Sequence, residues 1–397
     1  MNARPIQTLP LTPLAAVTML VALGLVHPSP LWAQTPEAGS DLLAHSKLDP
    51  TASGPIVVIG ATGLGGPKAP NIDASGYPTI AIPFASGSLL HPNVTYWSPA
   101  GFRPLTMDIY TPPPSLPKPA SGFPMLMFIH GGGWSAGSAQ SSAPIADFPR
   151  LLADIAATGY VVTSVNYRLN GEAKWPAQGQ DIKAAIRFLR SSARDYGIDP
   201  QRFATWGVSA GAQLSATAAT TCGLTELQPD NQLLPNLPPA APVTSPDGRV
   251  DNDDCVQAAV AWYGTYDLST LTEQARLAGA MSREVPTAPE WRLLGCMGEG
   301  CAQNKIASAS AIQTLTKEAP PMLLISGSDD KIVPSTQTLE FSGALAAEGI
   351  PHDVMIIEGV GHNFVGKDAF ATQIATQSAL DRMLAFLALH LKPTPTK

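Results

Sequence analysis

The segment Gly207-Val208-Ser209-Ala210-Gly211 narrows what this chain can fold into more than any other. It follows Arg202–Trp206, a run with strand character, and precedes Ala212–Ala218, a run of helix formers. A serine at so sharp a strand-to-helix turn takes a strained backbone, and the flanking glycines leave room for it. The turn lifts the Ser209 hydroxyl clear of the sheet and points a helix N-terminus at it. A bare G-x-S-x-G recurs by chance. Its place between a strand and a helix is what carries weight.

The rest of the chain supplies a matching frame. Met125–Ile129 and Tyr160–Val165 are short apolar runs of the kind that form strands buried on both faces. Between Gln178 and Tyr196, Ile182, Ala185, Ile186 and Leu189 recur at helical spacing. Further strands are expected at Val256–Tyr263, Met322–Ser326 and Val354–Glu358, and helices at Thr336–Glu348 and Ala371–Leu391. Such alternation predicts an α/β fold with a mostly parallel central sheet, helices on both faces and a small cap or loop insertion. Residues 224–254, dense in Pro, Asn and Asp, read as a surface excursion, and residues 268–310 as partial cover for a site.

Composition bounds the class. In 397 residues, 45% are hydrophobic and 14% charged, enough apolar surface for a large core and the opposite of a disordered chain. The net charge of −7 and scattered Lys and Arg give no footprint for nucleic acid. Arg4 followed by the uncharged run Leu14–Val26, then Pro28, Pro30 and small Ala33, reads as a signal peptide over residues 1–33. The run is shorter than a membrane-spanning helix needs, so no stable span is expected once it is cleaved. The chain is therefore expected to be exported, periplasmic or secreted.

Residues 34–90 are rich in Pro, Gly and Ser and are expected to form a loop-rich extension before a catalytic domain at 91–397. Within them, Ile56–Ile59 and Gly60-Ala61-Thr62-Gly63-Leu64-Gly65 imitate a dinucleotide-binding turn. Gly66-Pro67-Lys68-Ala69-Pro70 comes next, however, where a helix would have to begin. Cys222, Cys255, Cys296 and Cys301 suit an oxidising compartment. They allow three pairings, of which neighbourhood favours Cys222–Cys255 and Cys296–Cys301.

A serine hydroxyl is a poor nucleophile without a base, itself oriented by an acid. Behind Met322–Ser326 comes Gly327-Ser328-Asp329-Asp330, and behind Val354–Glu358 comes Gly359-Val360-Gly361-His362. The chain order is therefore Ser, Asp, His, with all three at the C-terminal edge of the sheet. Asp329 and Asp330 both fit by position. His352 is expected to start a strand and His390 to lie in the last helix. His130-Gly131-Gly132-Gly133-Trp134 directly follows a strand, and its glycines leave backbone amides uncovered. The amides of Gly132, Gly133 and Ala210 are the expected donors to an oxyanion, with His130 bracing the loop. Trp134 reads equally as a pocket wall or as packing. Trp262, Tyr263 and Tyr266 read equally as a stacking surface for substrate or as core.

Taken together, His130–Trp134, Val165-Asn166-Tyr167-Arg168-Leu169, the Ser209 turn, Asp330-x-x-Val333-Pro334 and Gly361-His362-Asn363-Phe364 resemble the α/β-hydrolase carboxylesterases. Within that superfamily they are most similar to the hormone-sensitive-lipase-like and feruloyl- or acetyl-esterase-like branch with an HGGGW loop, which also includes formamidases. The similarity covers roughly residues 91–392, and the spacing Gly327-x-x-Asp330-x-x-Val333-Pro334 matches that family's acid at Asp330. Two positions depart from its pattern: Ala212 where a glycine is usual, and Ser326 where histidine precedes the acid-loop glycine.

The resemblance implies double displacement through an acyl-enzyme, with no metal or organic cofactor. It implies a small-molecule or polysaccharide-linked ester of short-acyl or hydroxycinnamoyl type as substrate. Amide or formamide hydrolysis uses the same apparatus. A non-catalytic binding protein on this fold would be expected to have lost one of the three residues.

Overall fold

The computed structural model describes residues 80–224, Leu227 and 254–391, all within the unit Tyr77–Lys397. The expected signal peptide, the Gly60–Gly65 motif and nearly all of the 224–254 excursion lie outside the described residues.

Met125, Met127 and Ile129 face one side of the sheet and Leu126 and Phe128 the other, all fully buried. This is the continuous apolar run of a central strand, and β4 (Phe123–Ile129) holds that place. It pairs in parallel with β5 (Val161–Val165) on one side and β6 (Ile198–Val208) on the other. Parallel pairing continues through β7 (Ala258–Trp262), β8 (Met322–Gly327) and β9 (His352–Ile357). At the other edge, β1 (Ile82–Pro83), β2 (Leu89–Trp97) and β3 (Leu105–Thr111) run antiparallel, giving the order β1-β2-β3-β5-β4-β6-β7-β8-β9. The first strand, Ile82–Pro83, and the start of β2 at Leu89 precede residue 91.

Helices cover both faces. On one side lie α1 (Phe148–Ala157) and α9 (Ala369–His390). The other carries α2 (Ala177–Ser191), α4 (Ala210–Thr220) and α8 (Thr336–Ala347), with short α3 (Ala193–Tyr196) continuing α2. Every residue of α4 is buried, which suits its run of Ala, Ser and Thr: small side chains let it lie close against the sheet. The start of α1 is local chemistry. Asp147 caps the Arg150 amide at 3.2 Å, and Pro149 lies in the first turn, where no amide is needed.

Between β7 and β8 the chain builds a small cap from α5 (Leu271–Leu277), α6 (Pro289–Leu294) and α7 (Gln303–Ser308). Leu271, Trp291, Leu293, Leu294 and Ile306 join its core to that of the sheet. No helix among the described residues is long and apolar enough to cross a membrane.

Candidate active site

Ser209 sits between β6 and α4 with φ 53° and ψ −119°, a conformation costing an L-residue about 1–3 kcal/mol. The turn is possible because its glycines are tightly enclosed. A Cβ on Gly207 would collide with the carbonyl of Gly211, and one on Gly211 with the carbonyls of Ile129 and His130. The Ser209 amide donates to the Trp262 carbonyl at 2.9 Å, tying the turn to β7.

From Ser209 the polar chain runs through two loops at the same sheet edge. Ser209 Oγ lies 2.9 Å from Nε2 of His362, and Nδ1 of His362 lies 2.7 Å from Oδ2 of Asp330. The other Asp330 oxygen accepts the amides of Ile332 and Val333, each at 2.8 Å. Asp329 instead accepts from the Ser328 hydroxyl and is exposed. Of the two adjacent carboxylates, only Asp330 meets His362.

The two residues after His362 hold it in place. Asn363 and Phe364 both adopt positive φ, 58° and 56°. Asn tolerates that region, but Phe does not. Phe364 is fully buried against Trp262 and Tyr263, at ring distances of 5.2 and 4.8 Å. Packing therefore keeps a turn that backbone preference opposes. His352 begins β9 and bonds to Ser342, and His390 ends α9, so both lie apart from this cluster.

The glycine loop faces Ser209 across a cavity of about 550 Å³. Gly132 has φ 105°, and a Cβ there would collide with the Ala136 carbonyl. Gly132, Gly133 and Ala210 all line the cavity, and among the described residues their amides have no hydrogen-bond partner. His130 is buried and neutral, its pKa pushed down to about 4 by desolvation. Its Nδ1–H donates to the Gly131 carbonyl at 2.8 Å, and its ring stacks on Tyr167 at 4.2 Å.

The Val165–Leu169 motif and the residue after it, Asn170, brace this loop. Tyr167 donates to the His130 carbonyl at 3.0 Å, and the Asn170 amide to the Trp134 carbonyl at 2.7 Å. Arg168 is fixed by a buried ion pair with Asp181 at 2.6 Å and by the rings of Trp97 and Phe102.

The aromatic candidates divide. Trp134 lines the cavity, with Nε1 donating to Gln213 at 3.1 Å, so it is both wall and packing. Tyr263 does not line it. Its ring lies edge-on behind His362 at 4.9 Å. Tyr266 stacks on Phe341 and Trp262 meets Trp206 edge to face, in the core on opposite faces of the sheet. A stacking surface made of Trp262, Tyr263 and Tyr266 is corrected to core packing, because each ring is buried against neighbouring aromatic side chains or His362.

The cap closes the remaining wall with residues that sequence reasoning did not single out. Arg283 and Glu290 pair at 3.0 Å, exposed by only 4% and 1%, and burial pushes the Glu290 carboxyl upward against the pull of Arg283. Arg283 precedes α6 and Glu290 lies in its first turn, seven positions on, with no shared periodicity to join them. The cysteines pair as neighbourhood suggested: Cys222 with Cys255 and Cys296 with Cys301, at Cα separations of 4.6 and 5.1 Å.

Two curated relatives illustrate the likeness. Esterase LipQ of Mycobacterium tuberculosis is 30% identical over 249 residues, 63% of this chain and 51% of its own length. Esterase LipC of the same organism is 32% identical over 250 residues, 62% and 54% respectively. The chain thus spans about half the length of these relatives.

Among solved structures, a bifunctional GH43-CE protein of Bacteroides eggerthii superposes with TM-score 0.60 at 25% identity, covering 78% of this chain and 39% of the other. Esterase Est2 of Thermogutta terrifontis shares the fold, with TM-score 0.55 at 23% identity over 79% of this chain and 97% of the other. The BD-FAE family model matches residues 107–345, a span that takes in the glycine loop, the Val165–Leu169 segment, the Ser209 turn and the Asp330 loop. This chain belongs to the BD-FAE family, on the α/β-hydrolase fold.

Proposed function

We propose that this protein is an exported serine carboxylesterase in which Ser209 is the nucleophile, His362 the general base and Asp330 its orienting acid. The observation that carries the reading is the continuous relay from Ser209 Oγ to His362 at 2.9 Å and on to Asp330 at 2.7 Å, opening on one cavity. His362 takes the hydroxyl proton as Ser209 attacks the ester carbonyl. The carbonyl becomes a tetrahedral oxyanion that accepts from the amides of Gly132, Gly133 and Ala210. Collapse expels the alcohol, which takes the proton back from His362. Water then cleaves the acyl-enzyme by the same route.

Relatives named as esterases support ester over amide as the substrate bond. A cavity of about 550 Å³ has room for a whole small-molecule ester. Two disulfides support an oxidising compartment. With the signal at 1–33, the catalytic domain takes in the strands from Ile82 onward.

The test is hydrolysis of p-nitrophenyl esters of rising acyl length by the purified protein beside Ser209→Ala. Release is expected to peak at short acyl groups and to fall by about 10⁴–10⁶ in the variant. Folded wild type that releases nothing from any ester, or a Ser209→Ala variant of equal activity, overturns the reading.

A further inference from the structure

Three buried polar atoms without a partner fall in the wall of one cavity. They are Thr265 Oγ1, Arg283 Nε and Glu290 Oε1, and their residues line the space that Ser209 and His362 also line. Burying such atoms unpaired is costly, so native proteins seldom leave several together without a use. The rest of each group is occupied. Arg283 Nη1 meets Glu290 Oε2 at 3.0 Å, and Nη2 donates to the Ile332 carbonyl in the loop that carries Asp330. Its backbone carbonyl accepts from Trp291 at 2.8 Å. The pair is locked in place. What remains is one acceptor, one donor and one hydroxyl able to act as either.

That set selects its ligand chemically. A carboxylate would meet Arg283 but be repelled by Glu290, and an ammonium would meet the reverse. A neutral hydroxyl both donates and accepts, and so satisfies both ends without disturbing the ion pair. We propose that Thr265, Arg283 and Glu290 form a specificity site for a free hydroxyl carried by the ester substrate, away from the bond that is cleaved. The site rests on the esterase reading above and deepens it. A ligand hydroxyl seated against Thr265, Arg283 and Glu290 exchanges unpaired burial for a hydrogen-bonded contact. An alkyl ester of the same shape leaves them unpaired, which is how such sites discriminate.

The test compares 2-hydroxyethyl, 3-hydroxypropyl and 4-hydroxybutyl acetates with propyl, butyl and pentyl acetates, each pair matched in heavy atoms. Wild type is expected to favour at least one hydroxyalkyl ester by about ten-fold or more in kcat/KM, mostly through KM. The Ser209→Ala protein, which binds without turnover, should show the same preference by calorimetry. Thr265→Val, near-isosteric and neutral, should reduce the preference ratio by about three-fold or more. The double variant Arg283→Met/Glu290→Leu should abolish it; if that variant fails to fold, Thr265→Val decides.

Equal kcat/KM and equal affinity within every matched pair overturn the site while leaving the esterase reading intact. Selective binding of a hydroxyalkyl ester to Ser209→Ala, with no hydrolysis of any ester by wild type, supports the site and overturns the esterase reading. An unchanged preference ratio in Thr265→Val overturns the three-residue site.

Discussion

Asp330 and His362 meet through a single 2.7 Å contact, while the second oxygen of the same carboxylate is held by the amides of Ile332 and Val333. The acid is thus anchored by its own loop and presents one oxygen to the imidazole. Replacing Asp330 by Asn keeps the shape but offers Nδ1 an amide in place of a carboxylate, which favours the wrong tautomer. Asp330→Asn is expected to lower kcat by about 10³–10⁴. Asp329→Asn, whose side chain meets only Ser328, should change it less than about two-fold. Equal losses in the two variants would reassign the acid.

The two disulfides should differ in worth. Cys222–Cys255 spans a sequence separation of 33 and Cys296–Cys301 one of 5. On the chain-entropy account, closing the longer loop restrains the unfolded chain more, about 4 kcal/mol against about 2 kcal/mol. Paired Cys→Ala variants measured by urea unfolding should rank in that order. A larger loss from the Cys296/Cys301 pair would show that native contacts in the cap, and not chain entropy, set the difference.

The legibility of the chain tracks the range of the forces involved. Strands β4, β5, β7 and β8 are readable because a strand buried on both faces must be largely apolar, as Phe123–Ile129 is. The Ser209 turn is readable because steric demand at Gly207 and Gly211 leaves no other residue there. The start of α1 is present in Asp147-Phe148-Pro149 but concealed by a surrounding loop of Ser, Ala and Pro. Strands β2 and β3 carry polar residues and a register shift, so their alternation is broken. Asp329 and Asp330 are inseparable by position, since one peptide unit decides which faces the imidazole. Arg283 and Glu290 meet only through the tertiary fold of the cap. Tyr263 and Tyr266 mislead for a similar reason: aromatics at a strand end serve a pocket or a core equally well until the neighbouring helices are known.

His130 makes stability depend on pH. Its folded pKa is pushed down to about 4 by burial, against an ordinary value near 6.5. On acidification the unfolded chain therefore takes up this proton first. The contribution is whole above pH 6.5 and is lost as pH falls from there toward 4, at about 1.4 kcal/mol per pH unit. Urea midpoints at pH 7.5, 6 and 5 should fall accordingly. His130→Asn, which keeps a donor for the Gly131 carbonyl but does not titrate, should show a shallower fall over the same window. Parallel curves for the two proteins would mean that His130 takes up its proton equally in both states.

Ala212, where the related enzymes usually carry glycine, is accommodated by Gly264. A Cβ on Gly264 would stand 2.6 Å from the Ala212 Cβ and 3.0 Å from the Tyr266 ring, so the methyl of Ala212 fills space that Gly264 leaves open. Gly264→Ala is expected to cost about 1–3 kcal/mol through overpacking of this fully buried contact. Ala212→Gly should cost about 1 kcal/mol, because glycine loosens the interior of α4. In the Ala212→Gly background Gly264→Ala should be milder by at least about 0.5 kcal/mol, leaving only the Tyr266 contact to be resolved. A double-mutant cycle by urea unfolding measures that difference. Costs that add to within about 0.3 kcal/mol would show the two residues to be independent, and the departure at position 212 would then be absorbed by the slack of the helix itself.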